Sequence, residues 1–251
     1  MANKRMAADQ TIDEMAETLA GSNGAADAGN PREFIISPPN FQIGKFEIIG
    51  VAPYVQNKFS GKARAQMRAK QEAGSVAKKG VKREAKDFQA CYEAAKHYIR
   101  LYADPTKTGL CGIPAPSFRN SMISACRLVD FKMTQAKLAI FVEADGVDPD
   151  DGTPLVLITK GEPHYVEHAV RNESGVCDVR ARPMWDDGWR AIVRIRFDAD
   201  RFTAIDIMNL LARAGQQVGI GEGRPDSKES CGMGWGLFRP ITPEERQKES
   251  A

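Results

Sequence analysis

Between Lys58 and Lys86 the chain reads KFSGKARAQMRAKQEAGSVAKKGVKREAK, ten Lys or Arg against two Glu with almost nothing apolar. A segment of this kind cannot build a core, and its like charges repel one another. Whatever fold the chain adopts must therefore be assembled from the sequence on either side of it. The block is expected to project as an arm, an insertion over residues 56–86. The rest of the chain has the means to fold: 251 residues with 42% hydrophobic and 27% charged content are those of an ordinary globular protein. Net charge is only +2, so affinity for a polyanion has to come from clusters such as this arm.

Other classes are excluded by what the chain lacks. No apolar run approaches the ~18 residues of a membrane helix, and the N-terminus MANKRMAADQTIDEMAETLAGSNGAADAG has no apolar centre of a secretory signal. Five scattered cysteines, Cys91, Cys111, Cys126, Cys177 and Cys231, include no Cys-x-x-Cys pair. They read as reduced thiols of a cytoplasmic protein, with neither a disulfide framework nor a zinc site. Residues 1–32 are small, polar and acidic and read as a disordered tail, leaving 33–251 as the domain.

Periodicity supplies the elements. FQIGKFEIIGVAPYV (41–55) predicts a first strand. Phe88, Cys91, Ala95, Ile99 and Tyr102 lie along one face of a helix ended by Pro105, with His97 on its exposed polar side. A second helix follows the prolines, with Ser117 as N-cap and Phe118, Met122, Ala125, Cys126 and Val129 as its apolar stripe. KLAIFVEAD and PLVLITKG predict strands around an Asp/Pro/Gly turn. WRAIVRIRFD alternates, with Ala191, Val193, Ile195 and Phe197 inward and Arg190, Ile192, Arg194 and Arg196 outward: a half-buried strand with a cationic outer face. TAIDIMNLLARAG predicts a helix capped by Thr203 and stopped at Gly215. The order is that of an α+β fold with antiparallel sheet.

Seven glycines fall between Gly215 and Gly236, in the segment GQQVGIGEGRPDSKESCGMGWG. Interior glycine costs roughly 0.5–1 kcal/mol relative to alanine, so a close approach to the backbone is expected here. The G-x-G-x-G spacing after a helix fits neither a dinucleotide fingerprint nor a P-loop. Exposed N–H groups of Gly219, Gly221 and Gly223, with Arg224, Lys228 and Arg239 nearby, suit phosphate. Trp235 and Phe238 suit either stacking or core.

The stretch ADPTKTGLCGIPAPSFRNSMISACR (103–127) resembles the signature of RAMP proteins, the CRISPR-associated backbone subunits that coat a guide RNA. In that family an Asp-Pro and a glycine turn precede an Ile-Pro-Gly-Ser-Ser-Leu-Lys-Gly-x-x-Arg element. Ile113-Pro114 matches it, Ser117 matches a serine, Phe118-Arg119 stands for the apolar-basic pair, and Asn120 replaces the glycine. GIGEG and GMGWG resemble the family's glycine-rich loop. The chain departs from the pattern at Ala115 and Pro116 and in the inserted RPDSKES. The resemblance implies a ferredoxin-like, RRM-type antiparallel sheet carrying helices and an inserted basic arm. It also implies a protein that binds single-stranded RNA, or DNA, without a cofactor. Copies of the chain would stack along the strand with other effector subunits, in a defence complex or a mobile element.

On this reading Lys58, Lys62, Arg64, Arg68, Lys78, Lys79, Lys82 and Arg83 hold phosphates from the arm. Arg119, Arg127, Arg194 and Arg196 extend the track, and Gly219, Gly221, Gly223, Arg224, Lys228 and Trp235 complete it. RAMP subunits that cut target RNA carry an acidic residue upstream of the Asp-Pro; the matching region here, AAKHYIRLYADP (94–105), offers Lys96 and His97 and no carboxylate until Asp104. A non-catalytic protein is therefore expected. Two enzymatic rivals are a RAMP endoribonuclease with His164 or His168 as base and a zinc hydrolase. The latter rests on His164-x-x-Glu167-His168, an H-x-x-E-H pattern with Glu222 or Glu229 as third ligand. A self-assembling structural protein is the remaining alternative.

Overall fold

The computed structural model describes residues 37–58, 61, 65, 87–171, 177–226, 233–242, 245 and 246. The chain divides after Pro38, and the elements below belong to the unit that follows. The acidic tail over 1–32, most of the arm and Lys228 lie outside the described residues.

The alternating segment is the spine of the fold. Strand β10 (Arg190–Asp198) buries Ala191, Val193, Ile195 and Phe197 as their alternation predicts. Along one edge β10 pairs antiparallel with β1 (Phe41–Gly50), from Phe41 opposite Asp198 to Ile49 opposite Arg190. Along the other it meets β5 (Ile140–Glu143) and then β7 (Pro154–Lys160), with a register irregularity between Arg190 and Ala191. β11 (Phe238–Pro240) joins the free edge of β1. Short strands β3 (Arg100–Leu101), β4 (Gly112–Pro114) and β6 (Gly146–Val147) extend the β7 side of this curled antiparallel sheet. A second sheet takes β2 (Tyr54–Val55), β9 (Cys177–Trp185) and β8 (His164–Arg171) in the order β2-β9-β8.

Among the described residues there are four α-helices: α1 (Phe88–Ala94), α2 (Ala115–Ala125), α3 (Met133–Ala139) and α4 (Ala204–Arg213). Phe118, Met122, Ile123 and Ala125 of α2 and Ile207, Leu210 and Leu211 of α4 close one core against the inward residues of β10, with Trp189 and Phe238. α4 starts as expected: the Thr203 hydroxyl accepts from the Asp206 N–H while Asp206 accepts from the Thr203 N–H. No helix among the described residues is long and apolar enough to cross a membrane. Cys91, Cys111, Cys126 and Cys177 form no disulfide.

Four local expectations change. The helix predicted to reach Pro105 stops at Ala94, because Lys96–Leu101 runs extended and Tyr98 bridges to Cys111. α2 begins at Ala115, with Pro114 in the cap position instead of Ser117, and Val129 lies past its end, exposed. The strand predicted from KLAIFVEAD is helical as far as Ala139, since Ala136 and Ala139 are buried at helical spacing. Gly215 does not stop α4. The chain continues through a π-turn over Ala214–Val218 and ends at Gly219, with φ +75°.

Candidate nucleic-acid cleft

Two motifs about a hundred residues apart meet in space. The Ile113-Pro114 element leads straight from β4 into α2, presenting Ser117, Asn120 and Ser124 on the side away from the core. The π-turn after α4 delivers Gly219–Asp226 opposite them, and a cleft of about 360 Å³ lies between. Lys137 of α3 and Arg224 bring cations to it, and Ser117, Asn120, Lys137, Gly221 and Arg224 are among its lining. The side chains of Ser117, Asn120 and Lys137 have no hydrogen-bond or ion-pair partner among the described residues. Nor do the N–H groups of Gly221 and Gly223 have one there. Neutral donors, two cations and the Gly221 amide, beside an Asp226 carboxylate already paired with Arg127, are chemistry suited to phosphodiester oxygens and sugar hydroxyls.

The glycines have a structural cause as well. A Cβ on Gly236 would stand 1.7 Å from the Ile220 carbonyl oxygen, one on Gly215 2.2 Å from that of Phe238, and one on Gly221 2.5 Å from that of Val55. What comes close to these positions is the chain's own backbone. Gly219, Gly221, Gly223 and Gly236 also hold positive φ, a region costly for residues with a side chain. The Ile220 N–H to Gly236 carbonyl and Glu222 N–H to Val55 carbonyl bonds tie the loop together and to the root of the arm. Glu222 completes that attachment. Its carboxylate lies 2.7 Å from both Arg180 and Arg182 of β9. Burial alone raises its pKa, but the two guanidinium groups outweigh this and hold it below the ordinary range.

The arginines expected to hold phosphate are each engaged within the protein. Arg119 donates to the carbonyls of Ile140 (2.9 Å) and Lys137. Arg127 reaches Asp226 at 2.8 Å, which also accepts from Ser124. Arg194 pairs with Asp145 at 2.6 Å and Arg196 with Glu143 at 2.8 Å, while Arg224 donates to the Gly221 carbonyl. Arg127, Arg194 and Arg196 are partly exposed, and their carboxylate partners neutralise them. Trp235 is half-buried, edge-on to His168 with ring centroids 5.0 Å apart. Lys62, Arg64, Arg68, Lys78, Lys79, Lys82 and Arg83 lie outside the described residues.

Lys58 is a correction. It was expected to face phosphate, yet it is buried, with its ammonium 2.7 Å from both Asp148 and Asp150. Burial alone would lower its pKa, but these hydrogen bonds hold it above the ordinary value. His97 is a second correction. Expected on an exposed helix face, it is buried against Asp148 with Nδ1 2.8 Å from the carboxylate. Burial pushes its imidazole pKa down, although Asp148 opposes this. Gln56 organises the group by accepting from the His97 N–H (2.8 Å) and donating to the Gly112 carbonyl (2.8 Å). A ring nitrogen of His97 and carboxylate oxygens of Asp148 and Asp151 lie within 4.8 Å of one another, a spacing that suits a cation. Asp148, however, already spends its oxygens on Lys58, His97 and the Asp150 N–H. No local sequence pattern marks this group, because its members come from four separate segments.

The H-x-x-E-H segment forms strand β8 and not a helix. Residues four apart along a strand are separated by roughly 13 Å, too far to share a metal, and Glu167 points to the other face. His164 is exposed, 3.7 Å from Asp186. Both ring nitrogens of His168 are buried without a hydrogen bond, and burial lowers its pKa. Glu222, the candidate third ligand, belongs to the arginine pair, and Glu229 lies outside the described residues. Comparison with protein-family models and with curated proteins finds no match to this chain.

Proposed function

We propose that this protein binds single-stranded nucleic acid in the cleft between α2 and the glycine loop, and that copies of it assemble along the strand as RAMP backbone subunits do. One observation carries the reading: the two segments that resemble RAMP motifs, distant in sequence, line one cleft in which the side chains of Ser117, Asn120 and Lys137 and the N–H of Gly221 have no partner among the described residues. The topology agrees with it. β1, α2, β5, β10, α4 and β11 occur in that chain order, with other elements inserted between them, and the sheet order β11-β1-β10-β5 supports a βαββαβ, ferredoxin-like reading. The basic segment begins at Lys58, three residues beyond the Val55 carbonyl that the glycine loop binds. Neutralising phosphates releases counterions and gives strong, salt-sensitive binding. RNA is the preferred strand by resemblance, and a single-stranded DNA of equal length is the control.

The test is fluorescence anisotropy of a labelled single-stranded RNA with the full chain, between about 50 and 200 mM salt. Affinity should fall steeply with salt, and Lys137→Ala with Arg224→Ala should weaken it several-fold. Absence of binding at low salt, or affinity indifferent to salt, overturns the proposal.

A further inference from the structure

Among the described residues, the helices cover one face of the large sheet. On the other, β1, β10 and β5 turn outward Phe41, Ile43 and Lys45, then Ile192, Arg194 and Arg196, then Phe141 and Glu143, in mutual register. Ile43 is 58% and Ile192 43% exposed. At one end Phe41 and Phe141 stand edge to face with centroids 5.8 Å apart. The Arg196 guanidinium lies 5.0 Å from the first ring and 4.7 Å from the second. Neither ring packs on the core.

The charge on this face does not suit phosphate. Arg190, Arg194 and Arg196 sit on Glu47, Asp145 and Glu143 respectively, so the surface is apolar and aromatic with its cations largely neutralised. Flat rings and guanidinium planes on an open sheet are what unstacked bases lie against. The face is also continuous with the cleft. Arg119, the neighbour of Asn120, reaches past the edge of β5 and brings its guanidinium 5.4 Å from the Phe141 ring. β5 has no strand on that edge among the described residues.

We propose that the open face of β1, β10 and β5 is a base-stacking platform, on which bases of a single strand rest against Phe41, Phe141 and the Arg196 plane while the phosphates follow the cleft. This rests on the function proposed above and adds a second, uncharged determinant of affinity. The two are separable because stacking does not release counterions.

The experiment compares the full-length wild type with Phe41→Leu/Phe141→Leu, which keeps apolar bulk and removes the rings, after thermal melts confirm that both fold. Each is titrated against labelled single-stranded RNA over a salt series and against an abasic strand of the same length. The double variant should bind the RNA about tenfold or more weakly, with an unchanged slope of log affinity against log salt. On the abasic strand it should match the wild type. If the wild type binds RNA and the double variant binds equally well, or if only the salt slope changes, the platform is wrong and the cleft stands. If RNA affinity is unchanged but self-association in sedimentation is lost, the face joins copies of the chain, and the platform is again wrong. If the wild type binds no RNA, both proposals fall.

Discussion

Replacing Lys58 with methionine tests whether this cation serves the fold or the ligand. The substitution keeps an apolar stem and removes the ammonium that lies 2.7 Å from Asp148 and 2.7 Å from Asp150. Asp150 is exposed and rehydrates, but the Asp148 side chain is fully buried. Removing one partner of a buried pair leaves an uncompensated charge and costs about 3–5 kcal/mol. For a folded unit of this size that corresponds to a fall in Tm of roughly 6–20 °C. Two signatures identify the cause. Lys58→Met/Asp148→Asn should recover most of the loss, since no buried charge then remains. The deficit of the single variant should also shrink between pH 7.5 and 5.5, because His97 beside Asp148 can take up a proton and replace the missing charge. Thermal melts and urea titration of the full chain measure both. A single variant within 1 kcal/mol of wild type, with no response to pH, would refute the buried-pair argument. In the nucleic-acid titration the salt slope should not change, whereas a phosphate contact would lower it by about one.

Gly236→Ala should be far costlier than Gly152→Ala. Both positions have positive φ, near +70°, but a Cβ meets the Ile220 carbonyl oxygen at 1.7 Å in the first and nothing within 4 Å in the second. The control carries only the left-handed penalty of about 1–2 kcal/mol, and equal losses in urea titrations would mean that the close approach is not what requires glycine. The wild type should lose stability as pH falls below about 6.5. Burial lowers the pKa of both His97 and His168, so the unfolded chain binds more protons there and stability rises with pH. A Tm that stays flat between pH 7.5 and 5.5 would contradict this, and His97→Gln should reduce the slope.

Elements whose signal is local were legible in the amino-acid sequence. The alternation of β10 and the Thr203 cap of α4 depend on neighbours within a few residues and form as read, and the apolar stripe of α2 is buried from Phe118 to Cys126, while Val129 lies beyond it, exposed. The basic arm is read from composition alone; most of it lies outside the described residues, and Lys58, which is described, is buried. Positions decided by distant partners were not. His97 reads as the polar face of a helix, yet Gln56 and Asp148, 41 and 51 residues away, draw it into an extended, buried segment. The glycine run announces a close approach without naming what approaches, and tertiary structure answers with the carbonyls of Val55, Ile220 and Phe238. Likewise the outward arginines of β10 appear in sequence as free cations, and only folding sets Glu47, Glu143 and Asp145 beside them. Periodicity is a property of the chain, whereas charge neutralisation and backbone contact belong to pairs that meet only once the sheet has formed.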